Sequence, residues 1–252
     1  MAGKNRALYL IFTFLTIFCS SQTDCFANSL WRKVENRAFK AGEKLIYIVK
    51  WKGIAGGTSV MEVKEIVKIS GRDVYYVTLS TRSSKFFDTF FKVRDHVESY
   101  IDKEGIFTWK ERKRLREGKY RSDKETIYDQ VKHQGLYKGK KIDIPFYVQD
   151  SLSSFYYLRT QDLKEGNSVI MDVNDDGKNY SVEAKVIGIE KVTTPSGKFK
   201  ALKTEVVWKR EGKVSEENSR VWLSNDERKV PLKIERQIKT GTITMLLEKV
   251  KY

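Results

Sequence analysis

Cysteine, proline and histidine are scarce in this sequence. Its 252 residues include two cysteines, three prolines and two histidines. Both cysteines, Cys19 and Cys25, lie within the first 27 residues, which have the pattern of a cleaved leader. Without these residues no disulfide can form, so we expect stability to come from the hydrophobic core alone.

Long hydrophobic runs are also lacking. Charged residues make up 32% of the chain, which excludes a protein with many membrane helices. The longest apolar run, Ala7–Phe18, is too short to cross about 30 Å of hydrocarbon. Lys4 and Arg6 precede the run and the small residue Ala27 follows it, as in a signal peptide.

We therefore expect a signal peptide over residues 1–27, cleaved after Ala27, and a single β-rich domain over residues 28–252. The expected location is the periplasm or another secreted compartment. An uncleaved membrane anchor is the alternative. A lipoprotein modified at Cys19 is disfavoured, because Phe18 stands where lipid attachment needs a small residue.

Motifs for catalysis and for cofactors are missing. The sequence has no nucleophile elbow, no Walker loop and no dinucleotide-binding glycine pattern. His96 and His133 are far apart, so we predict no metal site and no cofactor. Asp95 faces opposite to Glu98 and Asp102 on a strand, which favours ion pairs with Arg94 or the basic run 110–121 over an acid–base pair.

Alternation of apolar and polar residues is the dominant pattern. Leu45, Tyr47, Val49 and Trp51 illustrate it, and glycine or Asp-Gly turns separate the alternating segments. The pattern predicts a mainly β protein, with a minor α+β element. Its expected architecture is a strongly curved antiparallel sheet or unclosed half-barrel with one or two short helices. The predicted strands are 45–51, 60–65, 74–79, 91–101, 106–115, 119–129, 168–173, 179–192, 198–209, 219–224, 230–238 and 242–250.

Two aromatic segments interrupt the alternation and predict short helices that cover the sheet. Residues 85–91 place four phenylalanines on one helical face, and residues 150–159 follow an N-cap at Asp150 or Ser151. Ordinary core packing is the alternative role for both segments. The residues that would line a ligand cavity or its lid are Phe86, Phe87, Phe90, Phe91, Leu152, Phe155 and Tyr156.

Residues 172–183 match the spacing of an EF-hand calcium loop. Oxygen-bearing side chains occupy the first, third and fifth positions, and Gly177 and Glu183 occupy the sixth and twelfth. The flanking residues are strand-like, whereas an EF-hand needs helices. The segment is therefore predicted to be a hairpin turn, with a weak calcium site as the alternative.

Residues 110–121 carry seven cations and two acids. If they form a hairpin that turns at Glu117-Gly118, Lys110, Arg112, Arg114 and Arg116 line one face. This face is a candidate site for an anionic partner such as a membrane surface or lipid headgroup. Nucleic acid is not expected, because the protein is expected to be exported. A solvated sheet face is the alternative.

Five blocks in order resemble the exported bacterial family known as domain of unknown function 3108. The resemblance implies export and a β fold but no catalytic residue. The C-terminal hairpin is more weakly similar to periplasmic lipoprotein carriers, whose half-barrels enclose plug helices. The five blocks are Phe39-x-x-Gly42-Glu43-x-Leu45-x-Tyr47 with Trp51-x-Gly53, the segment 90–102, the segment 150–159, Thr194-Pro195-x-Gly197-x-Phe199, and Trp222-Leu223-Ser224-x-Asp226-x-Arg228-x-Val230-Pro231.

Three functions follow from these patterns. The leading hypothesis is non-catalytic binding of an apolar ligand, a lipid or a lipidated protein, in envelope transport or assembly. The alternative is a structural or protein-interaction module of the envelope with a solid core. A hydrolase-type enzyme is the third and least supported reading, because no catalytic motif is present.

Overall fold

One large antiparallel sheet of fifteen strands organises the described part of the chain. The computed structural model describes residues 31–214 and 219–252, and residues 33–252 belong to one unit. The predicted signal peptide and its cleavage site lie outside the described residues. The predicted fold class is confirmed, because strand pairing among the described residues leaves the sheet unclosed and two short helices accompany it.

The helices are α1 (Lys85–Asp88) and α2 (Ser153–Arg159). The strands are β1 (Lys44–Trp51), β2 (Ile54–Ile69), β3 (Arg72–Ser83), β4 (Arg94–Asp102), β5 (Thr108–Glu117), β6 (Tyr120–Asp129), β7 (Gln134–Tyr137), β8 (Lys140–Asp143), β9 (Ser168–Asp175), β10 (Lys178–Thr194), β11 (Gly197–Arg210), β12 (Lys213–Val214), β13 (Ser219–Ser224), β14 (Pro231–Ile238) and β15 (Gly241–Lys251).

The strand order places the middle of the chain at the edges of the sheet. The order is β8-β7-β6-β5-β4-β3-β2-β1-β15-β14-β13-β11-β10-β9, with β12 beside β11. The first and last strands pair at the centre, with Leu45 opposite Val250 and Trp51 opposite Ile243. The connection between the edge strands β8 and β9 therefore has to cross the concave side of the sheet.

This connection, residues 144–167, bonds to strands from both halves of the sheet. The Gln149 amide donates to the Asp172 carbonyl at 2.9 Å, and the Asn174 amide donates to the Gln149 carbonyl at 2.8 Å. The Thr108 amide donates to the Val148 carbonyl at 3.1 Å. The connection thus ties β9 to the start of β5 and satisfies backbone groups that would otherwise be left at an edge.

Strand directions divide the sheet into two ends. The turn end carries the β1–β2, β5–β6, β9–β10 and β14–β15 turns and the α1 segment. The helix end carries α2, whose Tyr156 packs with Leu45 and Tyr47 in the main hydrophobic core. A second core cluster lies on β9–β13, and Phe155 and Tyr157 of α2 pack against both clusters.

A buried ion pair fixes α2 to the start of the sheet. Arg159 donates to both carboxylate oxygens of Glu43, at 2.6 and 2.9 Å, and the two side chains are 1% and 0% exposed. Its remaining donors bind the carbonyls of Ala38 and Arg228. Desolvation would lower the pKa of Arg159, but Glu43 outweighs it and the pKa is raised, so the guanidinium keeps its charge.

Several predicted boundaries are wrong. The helix expected over residues 85–91 is a single turn that begins after the Ser84 cap and ends at Asp88, where the Thr89 hydroxyl donates to the Phe86 carbonyl. The strand predicted to begin at residue 60 begins at Ile54, so Gly56 and Gly57 lie inside β2. A Cβ at Gly57 would collide with the Arg82 carbonyl oxygen, so glycine permits the close approach of β2 and β3.

The 150–159 helix is confirmed, although it begins at Ser153 rather than directly after Asp150 or Ser151. Asp150 still serves this helix, because its Oδ1 accepts from the amides of Leu152 and Ser153 at 2.7 Å. The hairpin of β7 and β8 is absent from the predicted strands. Its two-residue turn has positive φ at Lys138 and Gly139, as a type I′ turn requires, and this Lys-Gly pair was a usable signal.

Replacing Arg159 by Met should destabilise the protein by about 3–5 kcal/mol, because Glu43 would remain buried without its partner. Arg37→Met is the matched control, since Arg37 is 64% exposed and pairs with the exposed Glu35. The control should cost less than about 0.5 kcal/mol. Urea unfolding measures both values, and a loss below about 1 kcal/mol for Arg159→Met would contradict the assigned role.

Candidate ligand-binding concavity

Burial of the inward-facing side chains falls from the helix end to the turn end. On β1, Leu45 and Tyr47 are fully buried, Val49 is half-buried and Trp51 is exposed. β15 shows the same gradient, since Leu247 is buried and the next inward residues are half-buried. The helix end of the interior is therefore packed by α2, whereas apolar side chains at the turn end remain partly accessible.

The partly accessible residues form an apolar surface across several strands, which we call the mouth. The register places Val49 opposite Met245 and Met245 opposite Ile234. On the other half of the sheet, Trp208 stacks edge-on against Tyr180 with ring centroids 5.4 Å apart. The mouth consists of Val49, Ile243, Met245, Ile234, Val206 and Trp208, all half-buried and inward-facing.

A cation borders the mouth. Arg236 lies opposite Ile243 in the β14–β15 register, so its side chain starts from the inward face. Arg236 is exposed, and after Lys113 its charge contributes to holding the pKa of Asp175 on β9 below its usual value. The mouth thus combines an extended apolar surface with a positive charge at one side, which suits an amphipathic anion.

Four charged side chains, which we call the clasp, join the two halves of the sheet. Lys113 on β5 donates to Asp175, and Lys124 on β6 donates to Asp176. Lys113 also lies 3.6 Å from Asp176. The two lysines are register partners, so they present adjacent ammonium groups to the β9–β10 turn. The clasp brings the β9 edge against the inner face of β5 and β6.

The predicted hairpin at residues 172–183 is confirmed. Asp175 pairs with Lys178, and the two turn residues Asp176 and Gly177 both have positive φ, as in a type I′ turn. Of the carboxylates at calcium-ligand positions, Asp176 binds Lys124 and Glu183 binds Lys209. No cluster suited to holding a metal ion occurs within residues 31–214 and 219–252.

Acidic groups are buried beside the clasp. The Asp150 carboxylate accepts from Ser99 at 2.5 Å, and burial raises its pKa. Glu111 lies 3.2 Å from Lys113, and burial raises its pKa well above 4.5. Lys113 already faces Asp175, so we assign Glu111 as the protonated partner of this group.

A model of the family described as "Protein of unknown function (DUF3108)" matches residues 46–248. The chain belongs to this family. The sequence-based resemblance is therefore confirmed, and it covers the sheet from β1 to β15. A search of curated protein sequences gives no significant match.

One solved structure shares the fold at low sequence identity, and two others are more distantly similar. A β-barrel-like protein of domain of unknown function DUF1849 from Brucella abortus is 11% identical, with a TM-score of 0.56 over 87% of this chain and 98% of that one. A candidate exported protein with a YmcC-like fold from Bacteroides fragilis is 10% identical, with a TM-score of 0.33 over 88% of this chain and 100% of that one. A candidate lipoprotein from Parabacteroides distasonis is 11% identical, with a TM-score of 0.35 over 87% of this chain and 99% of that one.

The two aromatic segments have different environments in this DUF3108 protein. Leu152 and Tyr156 are buried in the core and Phe155 is half-buried against it, so α2 fills the helix end of the concavity. Phe87 packs beside Gly56 of β2. Phe86, Phe90 and Phe91 are exposed at the turn end, and their role in a lid stays a prediction.

The basic face alternates as predicted but is paired with acids. Lys110 and Arg112 both contact Glu125, at 2.9 and 2.7 Å, and Arg112 also lies 3.8 Å from Glu98. Arg114 and Arg116 contact Asp123, at 3.5 and 2.7 Å. Acids on the neighbouring strand β6 thus neutralise much of the basic face. The alternation within β5 could not reveal these acidic partners.

The other single residues have structural contacts. His96 lies 2.8 Å from Ser80, and His133 packs on Phe146 with ring centroids 3.7 Å apart. The expected ion pairing of the acids is confirmed for Glu98 with Arg112. Asp102 instead binds Arg72 and Trp109.

Arg94 and Asp95 also differ from the expected ion pairs. Arg94 binds Asp88 rather than an acid of its own strand. Asp95 accepts from the Arg116 amide at 2.8 Å.

Glu111→Gln should flatten the pH dependence of stability between pH 5 and pH 8. A carboxyl whose pKa is raised by folding binds its proton more tightly in the folded state, so stability falls as pH rises above 4.5 toward the raised pKa. Each pH unit in that window costs up to about 1.4 kcal/mol. Asp150, whose pKa is also raised, contributes a pH dependence in the same direction, but it is present in both proteins. The pKa of Asp175 is lowered, so its contribution to stability changes only below pH 3.8.

Urea unfolding at pH 5 and pH 8 measures this effect. The parent protein should lose more stability than Glu111→Gln over that interval, because glutamine cannot ionise. Glu125→Gln is the control, since the pKa of that half-buried acid is lowered by Lys110 and Arg112. Equal pH dependence in the parent and in Glu111→Gln would contradict a protonated Glu111.

Proposed function

We propose that this protein is a non-catalytic component of the bacterial envelope that binds an apolar or lipid-like ligand in the mouth. The supporting observation is the burial gradient along the inward-facing strand residues. α2 packs the helix end, and half-buried apolar side chains remain at the turn end. Accessible apolar side chains on a concave surface favour an apolar occupant.

An amphipathic anion fits the proposed site best. Its chain would contact Met245, Ile234 and Trp208, which lie on inward faces of adjacent parts of the sheet. Its acidic group would lie toward Arg236 at the border of the mouth. A fatty acid or acyl lipid has this combination of an apolar chain and a terminal negative charge.

A non-catalytic role is favoured by where the reactive side chains lie. Ser99, Asp150 and Glu111 would be the obvious groups for acid–base or nucleophilic chemistry, but all three are buried among α2, β4 and β5. A substrate in the mouth would not reach them without displacing the packed interior. Asp150 instead accepts from the amides of Leu152 and Ser153 at the start of α2, Ser99 donates to Asp150, and Glu111 contacts Lys113.

Export belongs to the same proposal. It is supported by the cationic start, the apolar run and the small residue at position 27, and we propose cleavage after Ala27. Within the described residues, no helix has the length and apolar character needed to span a membrane. A solid interaction module of the envelope remains the competing function, and it is favoured by the packing of α2 into the helix end.

Titration with a fluorescent fatty acid tests the proposed site. The parent, residues 28–252, should bind the probe, and Ile234→Glu should weaken binding at least about tenfold, because a carboxylate would be placed against the acyl chain. Ile170→Glu is the control, since Ile170 is 67% exposed and faces outward on β9. Val49→Ser provides a milder change in the mouth, and thermal melts identify any variant that fails to fold.

A second comparison tests the orientation of the ligand. Arg236→Gln should weaken binding of the fatty acid about fivefold but leave binding of its uncharged amide unchanged, since only the acid interacts with the cation. No uptake by the folded parent would exclude the ligand-binding function and favour the solid module. Equal binding by Ile234→Glu, Val49→Ser and the parent would exclude the mouth as the site.

A further inference from the structure

Exposed apolar side chains are concentrated at the turn end of the sheet. Phe90 is 77% exposed and Phe86 is 67% exposed, although a soluble surface seldom gathers large apolar groups. The members come from three connections, namely the β1–β2 turn, the α1 segment and the β5–β6 turn. We call this group the aromatic rim and define it as Trp51, Ile54, Phe86, Phe90, Phe91 and Tyr120.

Contacts between the connections hold the aromatic rim together. The Ser84 amide donates to the Gly56 carbonyl at 2.8 Å, which places α1 beside the start of β2. The Phe91 ring lies over Gly118 in the β5–β6 turn, where a Cβ would collide with it. The Gly118 amide donates to the Lys92 carbonyl at 2.8 Å. The exposed rings are therefore mounted on a connected backbone.

Cations surround the aromatic rim. Lys52, Lys85, Lys92 and Lys119 are exposed, and none of them forms an ion pair within the described ranges 31–214 and 219–252. Asp88 is the single acid between Ser84 and Val93. Arg94 binds it at 2.6 Å and contributes to lowering its pKa to about 2. The local balance of accessible charge is therefore positive.

We infer that the aromatic rim and its lysines dock onto the surface of an anionic lipid bilayer. Aromatic side chains partition into the boundary between headgroups and acyl chains, and lysines beside them contact anionic headgroups. This combination distinguishes a bilayer from a second copy of the chain, whose rim would present the same positive charge. Docking does not depend on the proposed ligand, although Trp51 lies next to Ile243 of the mouth.

Co-sedimentation with vesicles tests the inference. The probes are vesicles of phosphatidylcholine alone and vesicles with one part phosphatidylglycerol to three parts phosphatidylcholine. The parent, residues 28–252, should bind the anionic vesicles at least about tenfold more tightly, because each lysine near the surface contributes up to about fivefold. High salt should reduce this difference.

Two pairs of variants separate the charge from the rings. Lys85→Gln with Lys92→Gln should weaken binding to anionic vesicles about tenfold. Lys198→Gln with Lys200→Gln is the matched control, since these exposed lysines lie near the β10–β11 turn at the opposite end.

Phe86→Ser with Phe90→Ser should weaken binding about tenfold at both low and high salt. Ile170→Ser with Ile189→Ser is its control on exposed strand positions.

The outcomes are distinct because all substituted side chains are exposed and melting temperatures should stay close to that of the parent. The inference is supported if both rim variants lose binding while both controls stay within about twofold. Should a rim variant fail to fold, Ile54→Ser on β2 replaces it. Equal binding to both vesicle types, or equal losses in controls and rim variants, would overturn the inference. Self-association abolished by Phe86→Ser with Phe90→Ser, without vesicle binding, would assign the rim to a second copy of the chain.

Discussion

Two lysines on β5 and β6 reach across the interior to two aspartates at the β9–β10 turn. Lys113 binds Asp175 and Lys124 binds Asp176 between strands that lie far apart in the sheet order. Strand pairing leaves the edges at β8 and β9 unjoined, so the two halves are held together by these ion pairs and by the backbone bonds of the 144–167 connection. The connection 144–167, which carries α2, bonds to both β5 and β9. Its position therefore depends on these two strands being held close together.

The two ends of the interior differ in packing, because α2 enters only one of them. At the helix end, α2 and the Glu43–Arg159 pair fill the space with buried side chains. At the turn end, no helix enters, and the inward side chains of β1, β14 and β15 remain half-buried. The same architecture therefore yields a stable core and an accessible apolar surface, and the family match over residues 46–248 includes both parts.

Local patterns predicted the fold better than they predicted the site. Alternation on β1 and the Asp-Gly turn at 176–177 depend on neighbouring residues, so both could be predicted. The clasp joins residues about 60 positions apart, for example Lys113 and Asp175, and no local period encodes that contact. The length of the helix expected over residues 85–91 was wrong for a related reason, since helical spacing of the phenylalanines says nothing about the Thr89 contact at the end of its single turn.

A double-mutant cycle on Lys113 and Asp175 tests the closure of the sheet most directly. Urea unfolding of Lys113→Met, Asp175→Asn and the double variant gives the coupling free energy of the pair. Lys113 is largely buried, so the Lys113–Asp175 pair should show a coupling free energy of at least about 1 kcal/mol. The exposed pair Lys164–Asp162 should show less than about 0.5 kcal/mol. Coupling between Lys113 and Asp175 as small as that of the exposed pair would contradict the account.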